Sequence, residues 1–340
     1  MCSLISIIIP AFNAEKWIAA TLRSALDQTW PRKEVIVVDD GSTDGTLAVA
    51  RQFESAHVKI ATQQNRGAAA ARNQGFRLSQ GNYIQWLDAD DLLAPDKIAN
   101  QMAAVPGSGE PRTLLSSAWG RFLYRPSKTR FVPTALWNDL DPISWLVLKL
   151  ERNIYMPNHA WLVSRELTVA AGPWDATLSV DDDGEYFCRV ILESEAVRFV
   201  SAAKAYYRIS GSQSLSHIGA DSRKAGAQWR AMRSQIRYLR AAEDSPRVRA
   251  ACREYLKWWL IYFYPERPEI VQEIDGMLLE VDGRLRLPEL SWKYSWIKTL
   301  FGWETAKYAM FRAPLLKSRL NRLIDLALSK AHNPAPGPAA

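Results

Sequence analysis

Cysteine is scarce in this chain of 340 residues. Cys2, Cys188 and Cys252 are an odd number at no metal-ligand spacing, which excludes a disulfide scaffold and a cysteine-built zinc site and fits a reducing compartment. Long apolar runs are missing too: Trp258 to Tyr264, the longest of the carboxyl-terminal third, is far short of a bilayer span. The first ten residues have no basic stretch ahead of their apolar run, and that run is too short for a signal peptide, so it is expected to be a strand of a cytoplasmic protein. Gly-x-Gly-x-x-Gly does not follow that strand, which removes a nicotinamide dehydrogenase. Zinc-finger spacing, RNA-binding aromatic motifs and internal repeats are absent as well, so no nucleic-acid partner is expected.

What remains is 48% hydrophobic and 23% charged, the composition of a folded protein of two domains or of one with an appendage. The charge is unevenly placed. Residues 1–218 hold 22 Lys+Arg against 23 Asp+Glu, and residues 219–340 hold 21 against 13, so the balances are −1 and +8. A basic carboxyl-terminal third suits an anionic surface or an acidic partner.

Short apolar runs alternate with helical patterns through the first ninety residues. Ile5 to Pro10, Val35 to Val38, Val58 to Ala61 and Tyr83 to Leu87 read as strands, separated by a helical stripe from Trp17 to Leu26, a helix opened by Ser42 as N-cap, and an Ala-rich helix over about 67–78. Such alternation predicts an α/β fold with a mostly parallel sheet, whose ligands lie beyond the carboxyl ends of the strands. Polar residues gather at those ends: Asn13, then Asp39 and Asp40, then Asn65 and Arg66, then Asp88, Asp90 and Asp91. Residues 106–180 are less regular and rich in tryptophan, with Trp119, Trp137, Trp145, Trp161 and Trp174 read as core ahead of sugar-stacking platforms. Beyond about 219 the chain is helical and basic, with Arg230, Arg233, Arg237 and Arg240 along one face, a last helix striped by Leu316, Leu320, Leu323 and Ala327, and a Pro/Ala tail over 333–340 expected to be disordered.

Two acidic clusters need explanation, because packed like charges persist when a cation or a proton relieves them. Asp88 and Asp90, at a strand end and one residue apart, are placed on the same side and suit magnesium or manganese, hard ions that share oxygens with a substrate diphosphate. The alternative is a solvated turn in which Asp91 caps a following helix. The second cluster, 181–185, precedes a helix whose apolar stripe runs through Tyr186, Phe187, Val190 and Ile191, and its alternative reading is again a helix cap.

With Ser6–Asn13, Val35–Asp44, Asn65–Gly67 with Ala71–Asn73, Trp86–Asp91 and Asp182–Glu185 in order over residues 3–217, the chain resembles the inverting family 2 glycosyltransferases of the GT-A fold. The resemblance implies a catalytic domain over 1–218, followed by a basic aromatic helical region over 219–332. It implies that Pro10, Ala11, Phe12, Asn13 and Glu15 meet the nucleotide, that Asp40 accepts a hydrogen bond from the base, and that Asn65, Gly67 and Arg72 face the nucleotide or its phosphates. Asp90 would hold the metal, with Asp88 supporting the sugar or nucleotide side and Ala89 also against the nucleotide-sugar, and Asp183 would be the general base of an inverting transfer. Spacing to Gly184 and Glu185 favours Asp183 over Asp182. Asp40 as a cap near Ser42, and Arg72 as a surface residue, are the plainer readings.

The chain departs from the family at Ala171–Trp174, where the family often has Gly-Gly-Phe, which bears on acceptor shape. No Gln-x-x-Arg-Trp signature of the processive synthases occurs, so a single transfer from a UDP- or dTDP-sugar to a glycan or lipid-linked acceptor is expected, in cell-envelope glycan synthesis. His217, in a segment that resembles a mobile lid, is a candidate ligand near the diphosphate or a plain surface histidine. Trp292, Trp296 and Trp303 with Lys293, Lys298 and Lys307 suit peripheral contact with the inner face of a membrane or packing on the catalytic domain. The contrasting reading is a catalytically silent carbohydrate- or membrane-binding protein of the same fold. A sugar nucleotidyltransferase would need a Gly-rich phosphate loop where Pro10–Asn13 stand.

Overall fold

The computed structural model describes residues 2–105, 112–209, 221–288, 290 and 292–332, the last helix by its backbone alone at 313–324, 327 and 329–332. The expected alternation appears as β1 (Ile5–Ala11), α1 (Ile18–Leu26), β2 (Lys33–Asp39), α2 (Thr46–Arg51), β3 (Val58–Thr62), α3 (Ala68–Leu78) and β4 (Tyr83–Trp86). Side chains alternate across the sheet: Ile5, Ile7 and Ile9 enter one core, while Ile8, Ile84 and Trp86 enter the other. The helix after β2 starts later than expected. Gly45, not Ser42, precedes its first turn, and the Asp44 carboxylate accepts from the Thr46 N–H, while the Ser42 hydroxyl accepts from the Asn13 N–H.

Next come β5 (Leu92–Leu93), α4 (Lys97–Ala103), β6 (Thr113–Phe122), β7 (Arg130–Phe131), α5 (Pro142–Glu151), β8 (Val163–Ser164), α6 (Arg165–Ala171), α7 (Asp182–Glu193) and β9 (Ala196–Arg208). One sheet runs β3-β2-β1-β4-β8, parallel except for β8, and a second runs β5-β9-β6-β7 around the parallel pair β6/β9. The chain goes outward from β1 to β3 and returns to the other side of β1 as β4, which opens a crevice beyond the carboxyl ends of β1 and β4.

Helices α8 (Ser222–Ala242), α9 (Pro246–Phe263), α10 (Pro268–Glu280) and α11 (Trp292–His332) follow, the last interrupted at Gly302, whose φ of 82° glycine adopts without strain. Trp229, Met232, Leu256, Phe263 and Ile274 share one core with Trp86, Trp161 and Tyr186, so α8–α10 are packed on the sheet's helical cover. The basic face of α8 is largely used within the chain: Arg233 pairs with Glu273 and Arg240 with Asp244 and Glu280. Among the described residues of α11 only Ala306 and Lys307 are buried. Among the described residues no helix is long and apolar enough to cross a membrane. His217 with its Gly211–Ser216 segment, the tail over 333–340 and the side chains of Leu316, Leu320, Leu323 and Ala327 lie outside the described residues.

Candidate functional site

The loops after β1 and β2 are bound to each other. Asn13, in a left-handed conformation, accepts from the Thr43 N–H at 2.8 Å, and Glu15 accepts from the Gly45 N–H at 3.1 Å and donates its own N–H to Asp44. Pro10 and Ala11 are buried in β1, while Phe12 is left 47% exposed at the strand's end. Asp40 is 3% exposed and lies in a cradle made by the segment after β3: its carboxylate accepts from Gln63 Nε2 at 2.6 Å, the Arg66 N–H at 2.9 Å and the Gly67 N–H at 2.8 Å. It caps this segment rather than the helix near Ser42. Three donors leave one of its four acceptor positions for a ligand. Asn65 is exposed beside this cradle.

Arg72 is the hub of the site. Far from being a surface residue of α3, it is 4% exposed, donates to Asp88 at 2.8 Å and to Asp182 at 2.7 Å, and lies 4.4 Å over the Trp174 ring. Burial opposes its charge, and Asp88 and Asp182 more than restore it, so its pKa is raised. Trp174 therefore has a double duty that periodicity could not reveal: it stacks on Tyr186 at 3.9 Å within the core and holds Arg72 on its face.

The 88–91 segment is a turn closed by the Asp91 N–H donating to the Asp88 carbonyl, so the strand alternation used to put Asp88 and Asp90 on one side does not extend to them. Nor does Asp91 cap a helix; Leu92 and Leu93 continue as β5, and Asp91 is buried. The turn is stapled at both ends by adjacent residues of the 3₁₀ turn Asn158–Ala160. Asn158 donates to Asp88 at 2.9 Å, and His159 Nδ1 lies 2.9 Å from the Asp91 carboxylate. From β9, Arg208 donates its N–H to Asp91 and its Nε to the Asp90 carbonyl, both at 2.6 Å. Burial pushes Asp88 up, but Arg72 and Asn158 outweigh it and leave the carboxyl below its ordinary value. Burial raises Asp91 despite the opposing pull of His159. The buried Ala89 carbonyl accepts from Thr21, which anchors the turn to α1.

Across from this turn, α7 begins in the second acidic cluster. Asp181 has left-handed backbone and accepts from Gln228 and Gln235 of α8 at 3.1 and 2.8 Å; a Cβ at position 184 would collide with its carboxylate, which is why glycine stands there. Glu185 is taken by Arg189 and Tyr238. Asp183 accepts from the Gly184 N–H at 2.9 Å and forms no ion pair of its own among the described residues. Burial, then Asp182 and Asp181, push its pKa up to about 8 against the pull of Arg72.

Sequence reasoning missed several residues here. Asn158, His159 and Arg208 sit in stretches without periodicity, and their roles rest on partners 68 to 118 positions away. Tyr155, within electrostatic reach of Asp183 and Asp88, packs edge-on to Trp119 at 5.6 Å and Tyr207 at 5.7 Å, an aromatic wall beside the acidic residues. Arg72 Nε and Asn158 Oδ1 are buried and have no hydrogen-bond partner among the described residues. Among the described residues no group of three or more His, Cys, Asp or Glu side chains forms a ready metal cage. The donors present at the 88–91 turn are carboxylate oxygens, which fits a hard cation held by one or two carboxylates together with substrate phosphates.

Residues 6–109 match the family model for glycosyl transferase family 2. Over 102 residues the chain is 42% identical to TuaG of Bacillus subtilis, a glycosyltransferase named for teichuronic acid biosynthesis, a stretch that covers 29% of this chain and 40% of that one. WfaP of Escherichia coli, a UDP-Glc:alpha-D-GlcNAc-diphosphoundecaprenol beta-1,3-glucosyltransferase, is 42% identical over 101 residues, again 29% of this chain and 40% of the relative. The match thus spans less than half the length of these curated relatives. Among solved structures, S. aureus TarS in complex with UDP-GlcNAc superposes with a TM-score of 0.65 over 82% of this chain and 81% of its own, at 19% identity, which establishes a shared fold. A site at the carboxyl ends of β1, β2 and β4, the family match over residues 6–109 and the shared fold agree: residues 6–109 are a glycosyl transferase family 2 segment, in a chain that has the GT-A fold.

Proposed function

We propose that the protein is an inverting, non-processive glycosyltransferase that moves one sugar from a UDP- or dTDP-sugar to a glycan or lipid-linked acceptor in cell-envelope polysaccharide synthesis. The observation that carries this reading is the Arg72 hub, which ties the turn after β4 to the first turn of α7 and so sets Asp183 opposite the segment that bears Asp88 and Asp90.

The nucleotide lies against Phe12 and Asn13 with its base toward Asp40, and the donor sugar lies between the 88–91 turn and α7. Asp183 takes the proton of the acceptor hydroxyl while that oxygen forms its bond to the anomeric carbon. The bond from that carbon to the diphosphate breaks on the opposite face, and its electron pair leaves with the nucleoside diphosphate. A carboxylate whose pKa is raised toward neutrality is a better base for this step than an ordinary aspartate, because base strength and working pH are then closer. Asp90, with Asp88 on the sugar side, would hold a magnesium or manganese ion, which when bound supplies positive charge against the departing diphosphate. Arg72 keeps Asp88 ionised and holds α7 in register.

Peripheral contact with a lipid surface belongs to the same proposal. Trp292, Trp296, Leu300 and Phe301 are exposed on α11 with Lys293 and Lys298 among them, a mixture suited to an anionic interface. The test of the whole reading is release of nucleoside diphosphate from a panel of UDP-, dTDP- and GDP-sugars with manganese or magnesium. One donor should be turned over by the wild type, and the turnover should be lost in Asp90→Ala. Turnover of no donor with either metal, with membrane extract supplying acceptors, would refute it.

A further inference from the structure

Beside the Asp90 turn lies a second charged cavity, of about 380 Å³, lined among others by Arg121, Phe122, Leu123, Arg125, Lys128 and Asp325. Arg208 connects the two places. Its Nε donates to the Asp90 carbonyl at 2.6 Å, its Nη1 to the Leu123 carbonyl at 3.3 Å, and its guanidinium lies 4.4 Å over the Phe122 ring.

Inside the cavity a carboxylate is already bound. Asp325 Oδ1 accepts from Arg125 Nε at 2.7 Å and lies 2.6 Å from Nη2, while Oδ2 accepts from the Tyr124 N–H at 3.0 Å. A guanidinium fork with a backbone N–H beside it is the donor set that recognises a phosphate or a carboxylate. Three cationic side chains against one carboxylate leave the lining with an excess of positive charge. Asp325 is delivered from 200 positions away by α11, an element whose described side chains are otherwise mostly exposed.

We propose that Arg125, with Arg121 and Lys128, forms an anion subsite for the phosphate of the acceptor, and that Asp325 occupies this subsite as an internal mimic that the acceptor must displace. The acceptor assignment rests on the transferase reading; the binding of a phosphate anion does not. A relative whose acceptor is a diphosphate-linked lipid makes the chemistry apt. Because a closed latch lowers apparent affinity by the fraction of molecules that are open, removing the latch carboxylate should tighten binding.

The probe is inorganic pyrophosphate, titrated by calorimetry into the full chain. Asp325→Asn should bind it about tenfold more tightly than the wild type. Arg125→Ala in the Asp325→Asn background should lose this gain, and Lys128→Ala, at an exposed position, should weaken binding without altering the fold. UDP affinity should be unchanged in all of them. Equal pyrophosphate affinity in wild type and Asp325→Asn would overturn the proposal, as would a parallel loss of UDP binding in Arg125→Ala, which would assign the cations to the donor. Arg125-dependent binding to anionic phospholipid vesicles with no response to pyrophosphate would likewise overturn it, in favour of a membrane headgroup. Absence of donor turnover with the pyrophosphate results as expected would refute the transferase reading alone; turnover without them would refute this one alone.

Discussion

The two acidic clusters are built from the same residue and are handled in opposite ways. At 88–91 the carboxylates meet Arg72, Asn158, His159 and the backbone of Arg208, and Asp88 ends with a lowered pKa. At 181–183 three aspartates crowd one helix start with a share of Arg72 as their nearest guanidinium, and Asp183 is raised to about 8. Asp88 is held toward the charged form, whereas Asp183 is pushed toward the protonated one. Two carboxyl environments driven apart in this way are the arrangement acid–base chemistry uses, and the proposed roles of Asp183 and Asp88 draw on that contrast.

The largest effect expected from breaking the contrast is at Asp183. Asp183→Asn keeps the shape but cannot take a proton, and donor transfer should fall about a hundred- to ten-thousand-fold with nucleotide binding unchanged. Arg72→Met removes the counter-charge shared by both clusters and leaves Asp88 and Asp182 facing each other without it. Thermal unfolding should show a loss of roughly 2–3 kcal/mol, somewhat below the cost of breaking a fully buried pair because Asp88 keeps partial contact with solvent.

The pH dependences of the two clusters have opposite signs. Asp88 has a depressed pKa in the folded state, so its contribution to stability is present above the ordinary carboxyl value and is lost as pH falls. Asp183 has a raised one: between its ordinary value near 3.8 and about 8 the folded state binds the proton better than the unfolded chain, so stability is lost as pH climbs through that window. Asp183→Asn should flatten the alkaline loss and raise the melting temperature at pH 8 by on the order of 2 °C, seen by calorimetry. The smallest effect sharpens the comparison further. Transfer by the wild type should rise with pH to a midpoint near 8, and Asp182→Asn, which removes one neighbouring negative charge, should move that midpoint to lower pH.

Much of the first sheet was legible in the sequence, because short apolar runs such as Ile5–Pro10 and Val35–Val38 read as strands buried on both faces, as in parallel sheets, and polar residues then fall at their carboxyl ends. Asp40, Arg72, Asp88 and Asp183 could be named as candidates from the order of the motifs that carry the family resemblance. The long strands β6 and β9 could not. The first is buried almost throughout and so has no alternation, and the pair carries a register shift between Ser117 and Ala118. Trp174 is a core residue by composition, and only the fold sets Arg72 on its face. Asn158, Arg208 and Asp325 act through partners 70 to 200 positions away, a separation at which local pattern carries no information.

The most direct test of the account is donor turnover and nucleotide affinity measured on the same preparations of wild type and Asp183→Asn. Turnover lost while the nucleotide binds as before is the predicted result, and it would place the proton on Asp183 during transfer. Turnover retained in Asp183→Asn would contradict the account, because a crowded carboxylate that the reaction does not need would be only the start of a helix.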